Sequence, residues 1–274
     1  MRDVISIPVA ANRSVFINQI SLFWKSHQDL YGDSANKKAH LILVEQEHNL
    51  AFPPVSMPHS FVKDWFEFFP RTEKEFGLSP LNMQIGLKQV LHLFDDDQLI
   101  EFLDCDMFHF EKMPDLDVKP NEFVTCNFYE NWHLRSLSEH KYIVEPLLTE
   151  HSSYIGGFVP IIGHAGTFKK IVDDWIDAHI KLYDFVHKHD LKWWCGMFAF
   201  QVACSNLKVN MRAEDICYIP VQNKFSSNHY IGHYSCDPYF NKNKIVDDLG
   251  HLYTNNFPQN KYYSTIKNWH LNHA

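Results

Sequence analysis

Leu99-Ile100-Glu101-Phe102-Leu103-Asp104-Cys105-Asp106-Met107 is an apolar run that ends in two aspartates one residue apart. Upstream, Leu81 to Phe94 reads as a helix, with Ser79 as its cap and Pro80 in its first turn. Asp95-Asp96-Asp97 makes a short acidic turn. The order is helix, turn, buried strand, then two carboxylates where the strand runs out. Side chains alternate along a strand, so Asp104 and Asp106 are expected to point the same way. Two carboxylates held together repel unless a cation lies between them. Hard oxygen donors predict Mg²⁺ or Mn²⁺, and a divalent ion with open positions suits a diphosphate. Asp115-Leu116-Asp117 has the same spacing, but it lies between Pro114 and Pro120 and reads as loop.

Outward from that run, the chain reads as a nucleotide-binding α/β domain. Val4 to Ala10 is a buried strand, about Val15 to Leu30 a helix stopped by Gly32, and Ala39 to Val44 a second buried strand. This β-α-β unit is a usual opening for such domains. No G-x-G-x-x-G follows the first strand and no G-x-x-x-x-G-K-[ST] occurs, which excludes a dinucleotide fingerprint and a P-loop. Residues 51 to 78 read as an irregular aromatic connector. Further strands are expected over Glu122 to Tyr129 and Ile216 to Val221. Helices are expected over about Phe168 to His187 and Trp193 to Asn206. In open α/β sheets ligands bind beyond the carboxyl ends of the strands. That rule makes Val9, Ala10, Asn12 and Glu45 neighbours of a nucleoside.

Composition bounds the class. The 274 residues fit one domain, with about 1–110 as a nucleotide-binding half and 111–274 as an acceptor-binding half. Aromatic residues make up 15% of the chain, dense enough to line a cleft as well as a core. A net charge of −8 with no long basic run argues against nucleic-acid binding. Six scattered cysteines with no C-x-x-C argue against a structural zinc site and fit reduced thiols. No apolar run approaches the ~20 residues that span a bilayer. The expectation is a cytoplasmic enzyme, with peripheral contact at a membrane allowed.

The strand with its aspartate pair resembles the D-x-D site of GT-A glycosyltransferases and, more narrowly, the glycogenin-like retaining family. The resemblance implies a Rossmann-like mixed sheet flanked by helices, and a metal on Asp104 and Asp106 that grips the diphosphate of a nucleotide-sugar. It brings Cys105 into the donor site between them. Lys88 stands where the family keeps a basic residue that reaches the donor. Gly156-Gly157-Phe158 is similar to the family's small-Gly segment, which lets the sugar approach the backbone and places Gly157 at the reaction centre. His229-Tyr230-Ile231-Gly232-His233-Tyr234 resembles the closing histidine motif, with His233 as third metal ligand and Mn²⁺ the better ion. The motif's lysine is missing in register, leaving Lys242 or Lys244 for that role. The family's Asp-Gln pair at the late helix is also missing, and Asp190 is the nearest acid.

The expected reaction is metal-dependent transfer of a sugar from a nucleotide-diphosphate donor to a hydroxyl. The acceptor would be a glycan, a lipid-linked molecule or a protein. An inverting enzyme needs a carboxylate base, for which Asp190 is the candidate. Retention, with the leaving phosphate as base, is favoured over inversion. Alternatives are a metal-dependent phosphohydrolase or phosphotransferase on the same aspartates, and a non-catalytic carbohydrate-binding protein.

Overall fold

A computed structural model of the chain describes residues 4–11, 14–45, 56–64, 79–127, 147, 157–188, 195–218 and 227–233. Along the chain come β1 (Val4–Ala11), α1 (Ser14–Tyr31), β2 (Leu41–Glu45), β3 (His59–Lys63), α2 (Ser79–Val90) and β4 (Leu99–Asp104). They are followed by β5 (Met107–His109), β6 (Glu122–Asn127), β7 (Gly157–His164), α3 (Ala165–Lys188) and α4 (Cys195–Asn206). β8 (Asn210–Glu214), β9 (Cys217–Tyr218) and β10 (Ile231–His233) complete the set.

Seven strands form one sheet in the order β3-β2-β1-β4-β7-β6-β8. Only β7 is reversed; the other adjacent pairs are parallel. This is the mixed sheet flanked by helices that the resemblance implies. β2 and β4 are buried almost throughout, as strands covered on both faces must be. The ends of β1, β2, β3, β4 and β6 therefore share one edge with the start of β7. β5, β10 and β9 form a separate three-stranded sheet.

α3 lays Phe168, Ile171, Val172, Trp175 and Ile176 into the core, one stripe at the 3.6-residue period of an amphipathic helix. The Trp175 indole donates to the Gly196 carbonyl at 2.9 Å and ties α3 to α4. Gly163 of β7 lies opposite Phe123 of β6. A Cβ at 163 would stand 2.4 Å from that ring, so the packing admits only glycine there. α1 ends at Tyr31, and Gly32 turns the chain with φ +55°. No helix among the described residues is long and apolar enough to cross a membrane.

Three expectations need correction. Residues 59–63 of the supposed irregular connector form β3, an edge strand on β2. The helix before β4 keeps its α form only to Val90, then tightens into a 3₁₀ turn at Leu91–Leu93. β8 extends the sheet beyond β6, where no strand is predicted.

Candidate active site

β1 and β4 lie side by side, with Val9 opposite Asp104. β4 ends at Asp104, Cys105 and Asp106 form a turn, and β5 starts at Met107. The two aspartates therefore converge through a tight turn, which corrects the expectation that strand alternation aligns them. The small sheet brings the third side chain. β10 runs antiparallel to β5 with His233 opposite Met107, so His233 arrives beside Asp106. Its Nε2 lies 3.5 Å from Asp104 Oδ2 and 3.3 Å from Asp106 Oδ1.

One ligating atom from each of Asp104, Asp106 and His233 falls within 4.8 Å of the others, the only such group among the described residues. The side chains of His233 and Asp106 are 6% and 7% exposed, whereas that of Asp104 is 29% exposed. The group is mostly buried, and Asp104 is its most exposed member. Two carboxylate oxygens and one imidazole nitrogen fit a divalent cation that retains open positions.

The other expected residues divide. Val9 and Ala10 close the buried part of β1 next to Asp104. Glu45 ends β2 at the same edge, exposed and opposite Lys63. Gly157 opens β7 at that edge, paired with Asn127. The Cys105 thiol donates to Gln19 Oε1 of α1 at 3.0 Å, so this side chain fastens the turn to the first helix. Lys88 is not brought to the group. It lies in the last turn of α2, at the helix end that feeds the start of β4, and pairs with Asp173 of α3 at 2.5 Å on the exposed surface. Asn12, Gly156, Asp190, Lys242 and Lys244 lie outside the described residues.

One buried cluster is missing from the sequence expectations. Glu101, in the middle of β4, is fully buried. Its Oε2 accepts from Ser6 Oγ at 2.6 Å and from His109 Nε2 at 2.9 Å. Its Oε1 accepts from the Tyr230 hydroxyl at 2.6 Å. Burial alone would raise this carboxyl's pKa, but His109 and the two hydroxyls hold it below the usual carboxylate value. Burial and the facing Glu101 carboxylate push the Tyr230 phenol well up, keeping it a neutral donor. The sequence signal was present: an acid inside an apolar strand requires a partner.

No protein-family model matches the chain, and no curated protein matches it by sequence. Solved structures do match. A crystal structure of the galactosyltransferase LgtC in complex with donor and acceptor sugar analogues superposes with a TM-score of 0.52 at 11% identity. The match covers 85% of this chain and 87% of that one. An active-site mutant of LgtC, with glutamine changed to glutamate, gives a TM-score of 0.53 at 9% identity over the same shares. At such identities the likeness speaks for the backbone, and the backbone is the GT-A glycosyltransferase fold that the aspartate pair and its strand implied.

Proposed function

We propose that the protein is a metal-dependent glycosyltransferase that moves a sugar from a nucleotide-diphosphate donor to a hydroxyl acceptor. The observation that carries this reading is the convergence of Asp104, Asp106 and His233 at the carboxyl edge of the sheet, beside the end of β1. The neighbour crystallised with donor and acceptor sugar analogues supports the same class.

Asp104, Asp106 and His233 would hold the ion, and the imidazole favours Mn²⁺ over Mg²⁺. When bound, such an ion offsets the charge that develops on a leaving nucleoside diphosphate. The chain's own groups do the rest. Val9 and Ala10 would bring backbone to the donor's side of the pair, and Glu45, at the end of β2, would meet the nucleoside. Gly157 presents main chain without a side chain where the sugar must approach. α4 carries no carboxylate from Cys195 to Asn206. That supports retention, in which the leaving phosphate takes the acceptor proton. Asp190 is the base in the inverting alternative. The acceptor is a glycan, lipid-linked or protein hydroxyl.

The test is thermal unfolding with a panel of nucleoside diphosphates and nucleotide-sugars, with and without Mn²⁺, on the wild type and Asp106→Ala. A ligand at a hundred times its Kd stabilises the native state by about 2.7 kcal/mol, which is visible in Tm. The expected result is a Mn²⁺-dependent rise with one nucleotide, absent in Asp106→Ala. A wild type that shifts with no nucleotide overturns the proposal.

A further inference from the structure

Each candidate metal ligand stands three positions from a member of the buried Glu101 cluster. Glu101 precedes Asp104 along β4, His109 follows Asp106 through β5, and Tyr230 precedes His233 at the entry to β10. The three segments that deliver the ligands are thus joined at one carboxylate, with bonds of 2.6 to 2.9 Å. Ser6, directly opposite Glu101 in the β1–β4 register, adds a fourth anchor from the strand that carries Val9. The joint is packed as well as bonded: the rings of His109 and Tyr230 stack at 5.9 Å with 21° between their planes. The Tyr230 main chain locks in too, donating to Ile216 and accepting from Phe110 and Glu111.

We infer that Glu101, with His109 and Tyr230, is a positioning cluster that sets the spacing of Asp104, Asp106 and His233 and so tunes the affinity of the metal site. The inference rests on the metal reading of those three residues. Stability alone is a poor reason for the cluster. Taking a carboxylate out of water costs several kcal/mol, and a well-packed apolar side chain often matches or exceeds the stability of a buried ionic group. What an apolar residue cannot do is fix three separate segments at hydrogen-bond distance from one point. The small sheet needs such a fastening: within the described residues β5 and β10 have three residues each and β9 only two. Strands that short do not hold a register by their own ladder.

The test is Mn²⁺ titration by calorimetry on the wild type, E101Q, Y230F and D106A, each below its own Tm, with Tm measured separately without metal. Outer-shell partners of metal ligands are typically worth about 10–100-fold in affinity. E101Q is therefore expected to bind Mn²⁺ about tenfold more weakly, and Y230F a few-fold more weakly with its ring packing intact. D106A should show no binding. If E101Q does not fold, Y230F decides by the same criterion. Variants that lose Tm but bind Mn²⁺ like the wild type overturn the positioning role and leave the metal site standing. A wild type that binds no Mn²⁺ removes the metal reading and this inference with it.

Discussion

Two Asp-x-Asp pairs lie at opposite ends of the same two strands. Asp104 and Asp106 sit where β4 runs out, beside Val9 of β1, with His233 brought in from the far end of the sequence. Asp115 and Asp117 line a cleft of about 440 Å³ at the other edge, next to Val4 and Leu99, which open β1 and β4. The cleft's other polar walls are Lys38, Lys112 and Tyr31, and both ammonium groups lie over the Tyr31 ring, at 5.6 and 5.7 Å. The first pair faces an imidazole in a mostly buried recess, with no fixed positive charge beside it in the group. The second shares its cleft with two fixed positive charges and stands in solvent, so it has no deficit for a metal to fill. The spacing of two aspartates is therefore uninformative by itself. What makes a site is the strand end and the third donor.

Truncating His233 to alanine leaves the first pair with no more donors than the second. Mn²⁺ affinity should fall by at least about a hundredfold, the upper end of what outer-shell partners are worth. The nucleotide-dependent rise in Tm should shrink with it. Wild-type affinity in His233→Ala would mean that the aspartates suffice, and the contrast between the two edges would lose its explanation.

His233 was legible because its motif resembles a known one; the way it reaches Asp106 was not. β5 and β10 are too short to leave a periodic trace, so of the small sheet only β9, inside the strand expected over Ile216 to Val221, shows in the sequence. The central parallel strands β1, β2 and β4, by contrast, announce themselves as continuous apolar runs. β3 escaped because its pattern is mostly exposed, with Phe61 and Lys63 facing solvent at the sheet's edge. Lys88 illustrates a different limit. Its distance from Asp104 along the chain resembles that of a donor-binding residue, yet a crossover helix runs back along the sheet before its strand begins. A residue in its last turn therefore lies by the strand's start. Glu101 was readable as an anomaly, but its partners Ser6 and Tyr230 are 95 and 129 positions away.

Any comparison of the two edges has to be made at a pH where the scaffold is constant, a range set by two buried histidines whose pKa is pushed down to about 3, His27 and His179. His179 is wholly buried in α3, and neither ring nitrogen has a hydrogen-bond partner among the described residues. Burial pushes its pKa down from 6.5 to about 3. Above pH 6.5 it is neutral both folded and unfolded, and its contribution does not vary. As pH falls below 6.5 the unfolded chain takes up a proton that the folded chain refuses until about pH 3, so stability drops with acid. Between pH 7 and pH 5 this one residue accounts for a loss of about 2 kcal/mol. Urea unfolding at the two pH values should show that loss in the wild type and a correspondingly smaller one in His179→Leu. An unchanged difference would assign the acid sensitivity to other groups. Metal titrations belong above pH 6.5, where ligand protonation also interferes least.

The smallest expected effect is the most discriminating. Asp115→Ala/Asp117→Ala should leave Mn²⁺ affinity within about twofold and stability within about 0.5 kcal/mol, as for exposed side chains away from special contacts. The Asp117 main-chain oxygen accepts from Arg212 of β8 at 3.0 Å, a bond that survives truncation of the side chain. Removing both carboxylates leaves Lys38 and Lys112 as the cleft's dominant charges and makes that edge more repellent to cations. A metal held there would be lost, whereas a metal held by Asp104, Asp106 and His233, at the other end of β4, would be indifferent. A tenfold loss of Mn²⁺ affinity in this double variant would move the metal to the opposite edge of the sheet. Unchanged affinity, with loss in His233→Ala, confines it to the edge where the histidine arrives.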